Sequence, residues 1–578
     1  MTTGWIICCA SSSRGRSAEL APVLIVSLPF LFFGLGLSFL DPDEGLYGDV
    51  ARQMLAARDW VIPRFNGLPY LEKPPLYFWL GALTLGATGL SEWAVRLWSA
   101  LPALGTALLA WRIGRRLYGP TAGVLAGLAL ATTAGYALYV RKASTDLLFV
   151  FCLALAVYGF LRDVERAERG RTRFLLLYLG AALGLLTKGL IGLVLPLLIV
   201  GLGLAWVKRL SWRDLNWARG VPLFALVALP WHLLVARREP GLFWFYLVDN
   251  QLLRFLGRRG FVEDDVPIST LGFLVVTFLW AFPWGVFLLA RPAPGPSAMA
   301  RWRPVLWIWL LVVLGFFSLS RSRLEYYGLA ALPALAVLVG GAWAAGRDVG
   351  RWFYVGLAGS ALVGGWALWV GAALTPAQAF DGLAELNVYY RILRDQGLPF
   401  PFDSARPLGW LLQGLGLTLL VGWGVATACW LRGWRRASFV SLVGLAGVIA
   451  VLIVQLLHLV EPHHSAKAVS QALVARAGAE DLIVHEGSLE YSAALPFYTG
   501  RRIVVVNGAR GDLDFASRLP EGREWFLDTA GLGRVWDGPK RVFLVTQRPR
   551  ERSVVAALPA GNVREIGKFG SRWLYSSR

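Results

Sequence analysis

The sequence predicts a many-spanned α-helical membrane protein carrying a small α/β domain at its C-terminal end. Three observations predict it. Of 578 residues, 56% are hydrophobic and only 16% are charged, against about 25% charged in an ordinary soluble domain. Apolar runs free of charge recur from Ala21 to His458. Beyond them, Leu459–Arg578 alternates helix-like and short strand-like segments of ordinary polarity. A soluble globular protein and a disordered chain are both excluded by this composition.

The spans follow in order. About 20 apolar residues cross a bilayer as a helix. Such runs are Ala21–Leu40, Leu97–Trp111, Thr121–Val140, Leu147–Leu161, Phe174–Thr187, Gly189–Val207 and Gly220–Ala236. Ile268–Ala290, Pro304–Ser320, Gly328–Gly346, Trp352–Leu374, Pro407–Leu431 and Ala437–His458 complete the thirteen. The split at Thr187-Lys188-Gly189 is required by length, because Phe174–Val207 is too long for one span at about 1.5 Å per residue.

Charge sets the sidedness. The net charge is +20 and the pI about 10.2, which in a soluble protein would indicate nucleic acid. Here every second loop is basic. These loops hold Arg14 and Arg16, then Arg112, Arg115 and Arg116, then Arg162, Arg166, Arg169, Arg171 and Arg173. Lys208, Arg209, Arg213 and Arg219 follow, then Arg291, Arg301 and Arg303, then Arg347 and Arg351, then Arg432, Arg435 and Arg436. The positive-inside rule puts that set, and the N-terminus, in the cytoplasm, with no nucleic-acid partner. An odd number of spans then puts the tail outside the cytoplasmic membrane, together with the long loop Asp41–Arg96 and the stretches Arg237–Pro267 and Thr375–Arg406. The expected division is a membrane domain, 1–458, and an extracytoplasmic α/β domain, 459–578. Cys8, Cys9, Cys152 and Cys429 form no disulfide or metal pattern.

Candidate chemistry gathers on the outer side. Asp41, Asp43 and Glu44 follow the first span directly, and Tyr47, Val50, Ala51, Met54 and Leu55 then keep helical spacing. This predicts an amphipathic helix on the membrane surface. Its acids are either helix caps or a base at the lipid–water boundary. Glu72-Lys73 precedes Pro74-Pro75, which stops any helix there. The lysine either makes a surface ion pair or holds a phosphate as a point charge. Asp146 stands at the mouth of the fourth span and Lys188 between the fifth and sixth; an acid at a span entrance is a functional candidate. Asn250, Arg254, Arg258 and Arg259 follow the seventh span, and Ser320-Arg-Ser-Arg-Leu-Glu-Tyr-Tyr precedes the tenth. Outer arginines run against the positive-inside bias, and point to an anionic ligand such as a lipid phosphate. Glu461, His463 and His464 read as a linker. The absence of a P-loop, a GxSxG elbow and an HExxH helix argues against ATP-driven pumps and common hydrolases.

At these residues the chain resembles the bacterial lipid-A aminoarabinose transferases and the wider protein O-mannosyltransferase superfamily. The matching stretches are Asp43-Glu-Gly-Leu-Tyr…Ala-Arg-Gln-Met, Tyr70-Leu-Glu-Lys-Pro, Leu186-Thr-Lys-Gly, Phe245…Arg254-Phe, Phe317-Ser-Leu-Ser-Arg-Ser-Arg-Leu-Glu-Tyr-Tyr and Leu495-Pro-Phe-Tyr-Thr-Gly. The resemblance implies a GT-C glycosyltransferase. Its donor would be a polyprenyl-phosphate sugar, and its acceptor a lipid or glycan: lipid A, another envelope glycan, or protein. It implies catalytic roles for Asp43, Glu44 and Asp146, and donor-phosphate contacts from Lys73, Arg254, Lys188, Arg323 and Tyr327. Glu72 would approach a divalent metal ion. Two departures stand out. Leu46 replaces an arginine of the aminoarabinose enzymes, and Asn250-Gln251 occupy the stretch where a relative carries a metal-binding histidine. A transporter or flippase is the reading of a different class, but repeats and matched broken spans are not visible. A membrane-anchored glycan-binding module fits poorly with carboxylates placed at the bilayer.

Overall fold

The computed structural model describes residues 13–165, 170–261, 267–292, 297–346, 348–386, 388–395, 397–508 and 510–578. Cys8, Cys9, Arg166, Arg169, Arg347 and residues 293–296 lie outside these, as do the side chains of Arg14 and Arg16.

Helices occupy all thirteen expected runs. Among the described residues, six are long and apolar enough to cross a membrane: Glu92–Tyr118, Trp217–Arg238, Glu325–Ala345, Val349–Ala372, Arg406–Leu431 and Arg435–His464. Others are shorter than their apolar runs, for visible reasons. The first helix ends at Phe32, and the residues after it turn back so that the Leu35, Leu37 and Ser38 carbonyls all accept from the Arg96 guanidinium. The run 121–140 breaks at Thr132-Thr133, whose hydroxyls bond back to the Leu128 and Leu130 carbonyls. The run 268–290 breaks after Trp280, just before Pro283. The two breaks satisfy each other: the Ala134 N–H donates to the Phe282 carbonyl and the Trp284 indole to the Thr132 hydroxyl. Irregular backbone at membrane depth needs such partners. The split at Thr187–Gly189 is present, between helices Leu175–Lys188 and Ile191–Val207. Gly189 takes φ +77, and Gly184 and Gly192 pack so closely that a Cβ on Gly192 would lie 2.0 Å from the Gly184 carbonyl carbon.

The long first loop forms helix Asp43–Ala57, a hairpin of β1 (Arg64–Phe65) and β2 (Leu68–Pro69), and helix Leu76–Thr88. The tail holds a six-stranded sheet of β3 (Leu482–Glu486), β4 (Ile503–Val506), β5 (Phe526–Leu527), β6 (Val542–Thr546), β7 (Arg564–Phe569) and β8 (Arg572–Ser576), in the order β5-β4-β3-β6-β8-β7. Strands β3 to β6 pair in parallel, with Ile483 opposite Ile503 and Phe543; β8 and β7 complete the edge antiparallel. Alternation sends Val484, Val506, Leu544 and Tyr575 to one face, and Ile483, Val505, Phe543 and Leu574 to the other.

That second face corrects the expected surface helix. Tyr47, Val50, Ala51 and Met54 are buried as their spacing requires, but in a common core with Phe65, Tyr70, Tyr77, Phe497, Trp525 and the sheet rather than against lipid. Gly45 permits the approach, since a Cβ there would lie 2.2 Å from the Ala494 backbone nitrogen. Asn66 extends the sheet edge, exchanging hydrogen bonds of 2.8 and 2.9 Å with the Ile503 backbone. Buried Asp41 accepts from the Ala494 N–H (2.8 Å) and pairs at 3.0 Å with fully buried Arg572. The last membrane helix runs through the expected boundary at residue 458 to His464, where His464 packs on Tyr389 and Tyr390.

Candidate active site

Three carboxylate–cation pairs gather where the first loop meets the mouths of the membrane helices. Asp43 opens helix Asp43–Ala57, and its carboxylate meets the Lys142 ammonium at 2.7 Å. Lys142 comes from the turn that leads to Asp146, the first residue of helix Asp146–Asp163. Asp146 in turn pairs with Lys188, the last residue before the Gly189 turn. Lys188 and Lys142 both face the Tyr326 ring, at 5.1 and 5.9 Å. Asp146, Lys188, Phe149, Phe317, Tyr326 and Tyr327 line a small cavity of about 10 Å3.

The third group is built on Glu72. Its carboxylate binds the Arg259 guanidinium, whose Nε donates to Asp249 at 3.1 Å. Lys73 stands 4.0 Å from it. Phe245–Leu253 winds as a widened, π-type helix, a form that often marks functional sites. It carries Asp249 and Asn250; the Asn250 amide donates to the Glu72 carbonyl and its oxygen accepts from Arg254 at 3.2 Å.

The electrostatics favour an anion. Burial and the nearby Arg254 guanidinium push the Lys73 ammonium below its ordinary pKa, a strain that an anionic ligand relieves. Burial alone would raise Glu72; Arg259, Lys73 and Arg254 outweigh it and hold the carboxyl well below the usual range. For Asp43, only partly buried, the desolvation is likewise outweighed, first by Lys142 and then by Lys73 and Lys188, so Asp43 stays ionised at neutral pH. The tail adds Asp512, pushed well above the ordinary carboxylate range by burial and by Glu72. With Phe65, Ser488, Glu490 and Arg510 it lines a second small cavity, of about 10 Å3, between loop and tail.

The other expected residues fall as follows. Glu44 is buried away as an anchor. It accepts both arms of Arg96 at 2.8 and 2.7 Å, the Leu40 N–H at 3.0 Å and the Ala143 N–H at 2.6 Å. Arg323, expected at the donor phosphate, instead staples its own turn, donating to the Phe317, Ser318 and Ile268 carbonyls. Tyr327 lies against Phe317 and Lys188, beside the first cavity rather than beside Lys73. Arg259 is one of the arginines that the sequence marks after the seventh span; Lys142, Asp249 and Asp512 were not singled out, and for Lys142 the signal was its basic charge just before Asp146.

The donor set around Glu72 does not fit a divalent metal. The place between the Glu72 and Asp249 carboxylates, where a cation would sit, is taken by Arg259, with Lys73 and Arg254 nearby. Among the described residues no three His, Cys, Asp or Glu side chains converge as metal ligands.

The crystal structure of ArnT from Cupriavidus metallidurans bound to undecaprenyl phosphate superposes with a TM-score of 0.79, over 98% of this chain and 99% of that one, at 22% identity. Its apo form matches equally well, at 0.79. That likeness defines the fold as the multi-pass membrane architecture of ArnT. The undecaprenyl phosphate-α-4-amino-4-deoxy-L-arabinose arabinosyl transferase of Pseudomonas aeruginosa (strain UCBPP-PA14) is 30% identical over 554 residues, covering 90% of this chain and 92% of the relative. The chain belongs to that family of arabinosyl transferases. A relative from Pseudomonas fluorescens (strain Pf0-1) is 32% identical over 336 residues, 56% of each chain. The profile of the dolichyl-phosphate-mannose-protein mannosyltransferase family matches residues 72–233.

Proposed function

We propose that the protein transfers an amino-arabinose-type sugar from undecaprenyl phosphate to a phosphate group of lipid A, at the outer face of the cytoplasmic membrane. The observation that carries the donor is the crowding of buried Lys73 and Arg254 beside Glu72. As the bond between the anomeric carbon and the phosphate oxygen breaks, charge develops on the departing lipid phosphate. Lys73 and Arg254 are placed to neutralise it in a site shielded from water. Arg259 holds Glu72, whose carboxylate stands 4.0 Å from the Lys73 ammonium. No step uses a metal.

Asp43 supports the choice of acceptor. Its carboxyl is held below the ordinary range by Lys142, after burial, which makes it a weak base for a sugar or lipid hydroxyl. A phosphate monoester needs no strong base, since its second ionisation lies near pH 6. At neutral pH that proton is already mostly lost to water, so Asp43 positions the acceptor group rather than deprotonating it. Asp146 and Lys188 hold each other in place beside it. Glu44 and Arg323 have structural roles in this reading.

The sidedness is part of the proposal. Thirteen spans with basic alternate loops put the N-terminus in the cytoplasm and the tail outside. A phosphatase fused after Arg578 should be active, and an inactive one overturns the orientation. The function is tested with purified protein in detergent. The expected result is release of undecaprenyl phosphate from the aminoarabinose donor only when phosphorylated lipid A is present, with Lys73→Ala binding undecaprenyl phosphate at least tenfold more weakly. Equal release with dephosphorylated lipid A overturns the acceptor, and release only from a mannosyl donor overturns the sugar.

A further inference from the structure

We propose that Lys142 is the acceptor-phosphate residue: in the empty site it clasps Asp43, and it releases Asp43 when an anionic acceptor takes the ammonium. The inference rests on the reading of the acceptor as a phosphate-bearing lipid. It starts from a difference among the site's three pairs. The Asp146–Lys188 side chains are 10% and 11% exposed, and Glu72 and Arg259 are 6% each. Asp43 and Lys142 are 42% and 34% exposed. Opening a buried pair strands an uncompensated charge, whereas a half-exposed pair opens to water or to a ligand at little cost. The Asp43–Lys142 pair is therefore the one built to be exchanged.

The local structure frees the side chain while fixing its base. The Lys142 carbonyl accepts from the Ser99 hydroxyl at 2.7 Å. The adjacent Arg141 points inward, donating to the Ala137 and Phe30 carbonyls. Of two neighbouring cations, one is thus an anchor, and the other reaches the site along the Tyr326 ring.

Lys142 is also distinct from the donor cations. Its strongest electrostatic neighbours are Asp43, Glu325 and Glu44. Those of Lys73 are Arg254, Glu72, Asp512 and Arg259. The two sets share no residue and meet only at Asp43, which faces Lys142, Lys73 and Lys188. One phosphate on each side of Asp43 gives both the donor and the acceptor a cation, with the carboxylate between them. Asp512 and Tyr47 also face Asp43, so its titration is read in their presence in every variant.

The experiment compares wild-type protein with Lys142→Met, Lys142→Gln and Lys142→Arg, using undecaprenyl phosphate as the donor-side probe and phosphorylated lipid A as the acceptor. The neutral variants should bind undecaprenyl phosphate within about twofold of wild type. Their KM for the acceptor should rise at least tenfold, with Lys142→Arg restoring most of it. The acidic limb of kcat/KM should also move to higher pH, because Asp43 loses the cation that keeps it ionised; loss of the pair alone would do that, so the rise in acceptor KM with donor binding kept is what marks an acceptor residue. An unchanged acceptor KM in either folded neutral variant overturns the proposal, whether or not the pH limb moves, while leaving the transferase reading intact. Loss of undecaprenyl phosphate binding to the extent seen in Lys73→Ala overturns it too, by making Lys142 a donor residue. Failure of wild-type protein to release undecaprenyl phosphate sinks the underlying reading instead.

Discussion

Glu44→Gln separates an anchor from a catalyst. Glu44 is 1% exposed, and its two oxygens take four hydrogen bonds, two of them from a guanidinium that is itself fully buried. A carboxamide removes the charge and turns one acceptor into a donor. That donor must then face Arg96 or a backbone N–H. An unsatisfied buried group costs about 1–3 kcal/mol, and a buried cation left without its anion about 3–5 kcal/mol. A loss of about 3–5 kcal/mol is therefore expected, a large part of a typical stability of about 5–15 kcal/mol. Thermal unfolding in detergent should show a drop of several degrees and a lower folded yield. Turnover per folded molecule should stay within about threefold of wild type. Arg96→Met should cost a similar amount, and the double variant clearly less than the sum, as two residues in one network require. A Glu44→Gln protein that melts like wild type but turns over a hundredfold more slowly would refute the anchor and return Glu44 to catalysis.

Other outcomes follow from the same geometry. Asp43→Asn should cut turnover at least a hundredfold with the melting temperature unchanged, measured on purified protein; near-normal turnover would reduce Asp43 to a helix-start residue. Asp41 is pushed up from 3.8 to about 7, by burial that Arg572 only partly offsets. The folded state thus keeps a proton that the unfolded chain gives up above about pH 4, so this contribution is full at low pH and fades as pH rises through 7. At about 1.4 kcal/mol for each pH unit across that interval it amounts to roughly 4 kcal/mol. Protease resistance of the tail should fall between about pH 4 and 7 and level off above, and Asp41→Asn should flatten that dependence. Gly45→Ala drives a Cβ into the Ala494 backbone and should undock the tail, detected by tail proteolysis, whereas Gly36→Ala, with nothing within 4 Å of the added carbon, should be silent.

Much of this was legible in the sequence because hydropathy and loop charge are local signals. The break at Lys188 was forced by length alone, and it is the Gly189 turn that brings Lys188 to Asp146. Asp43 was legible from its place after the first span. Its partner was not, since Lys142 lies 99 positions on and its basic charge fits many roles. The acidic pair Asp43-Glu44 shows the limit most clearly. Adjacent residues on one helix point in different directions, one to an open ion pair and one to the buried Arg96. Arg323 was misleading for a related reason: outer arginines do signal an anion, but this one is consumed by three backbone carbonyls. The amphipathic spacing of Tyr47, Val50, Ala51 and Met54 told that a face is buried, not what covers it.

What covers it has a consequence for how the protein is made. The helix bearing Asp43 emerges from the ribosome early, yet the sheet that shields it, and the Arg572 that receives Asp41, are encoded 531 positions later in the case of that pair. A half-synthesised chain threaded into the membrane therefore carries Asp43 on an unfinished scaffold. The cover of this helix has to wait for the tail, and a ribosome that stalls before β3 leaves a chain whose first loop lacks half of its core.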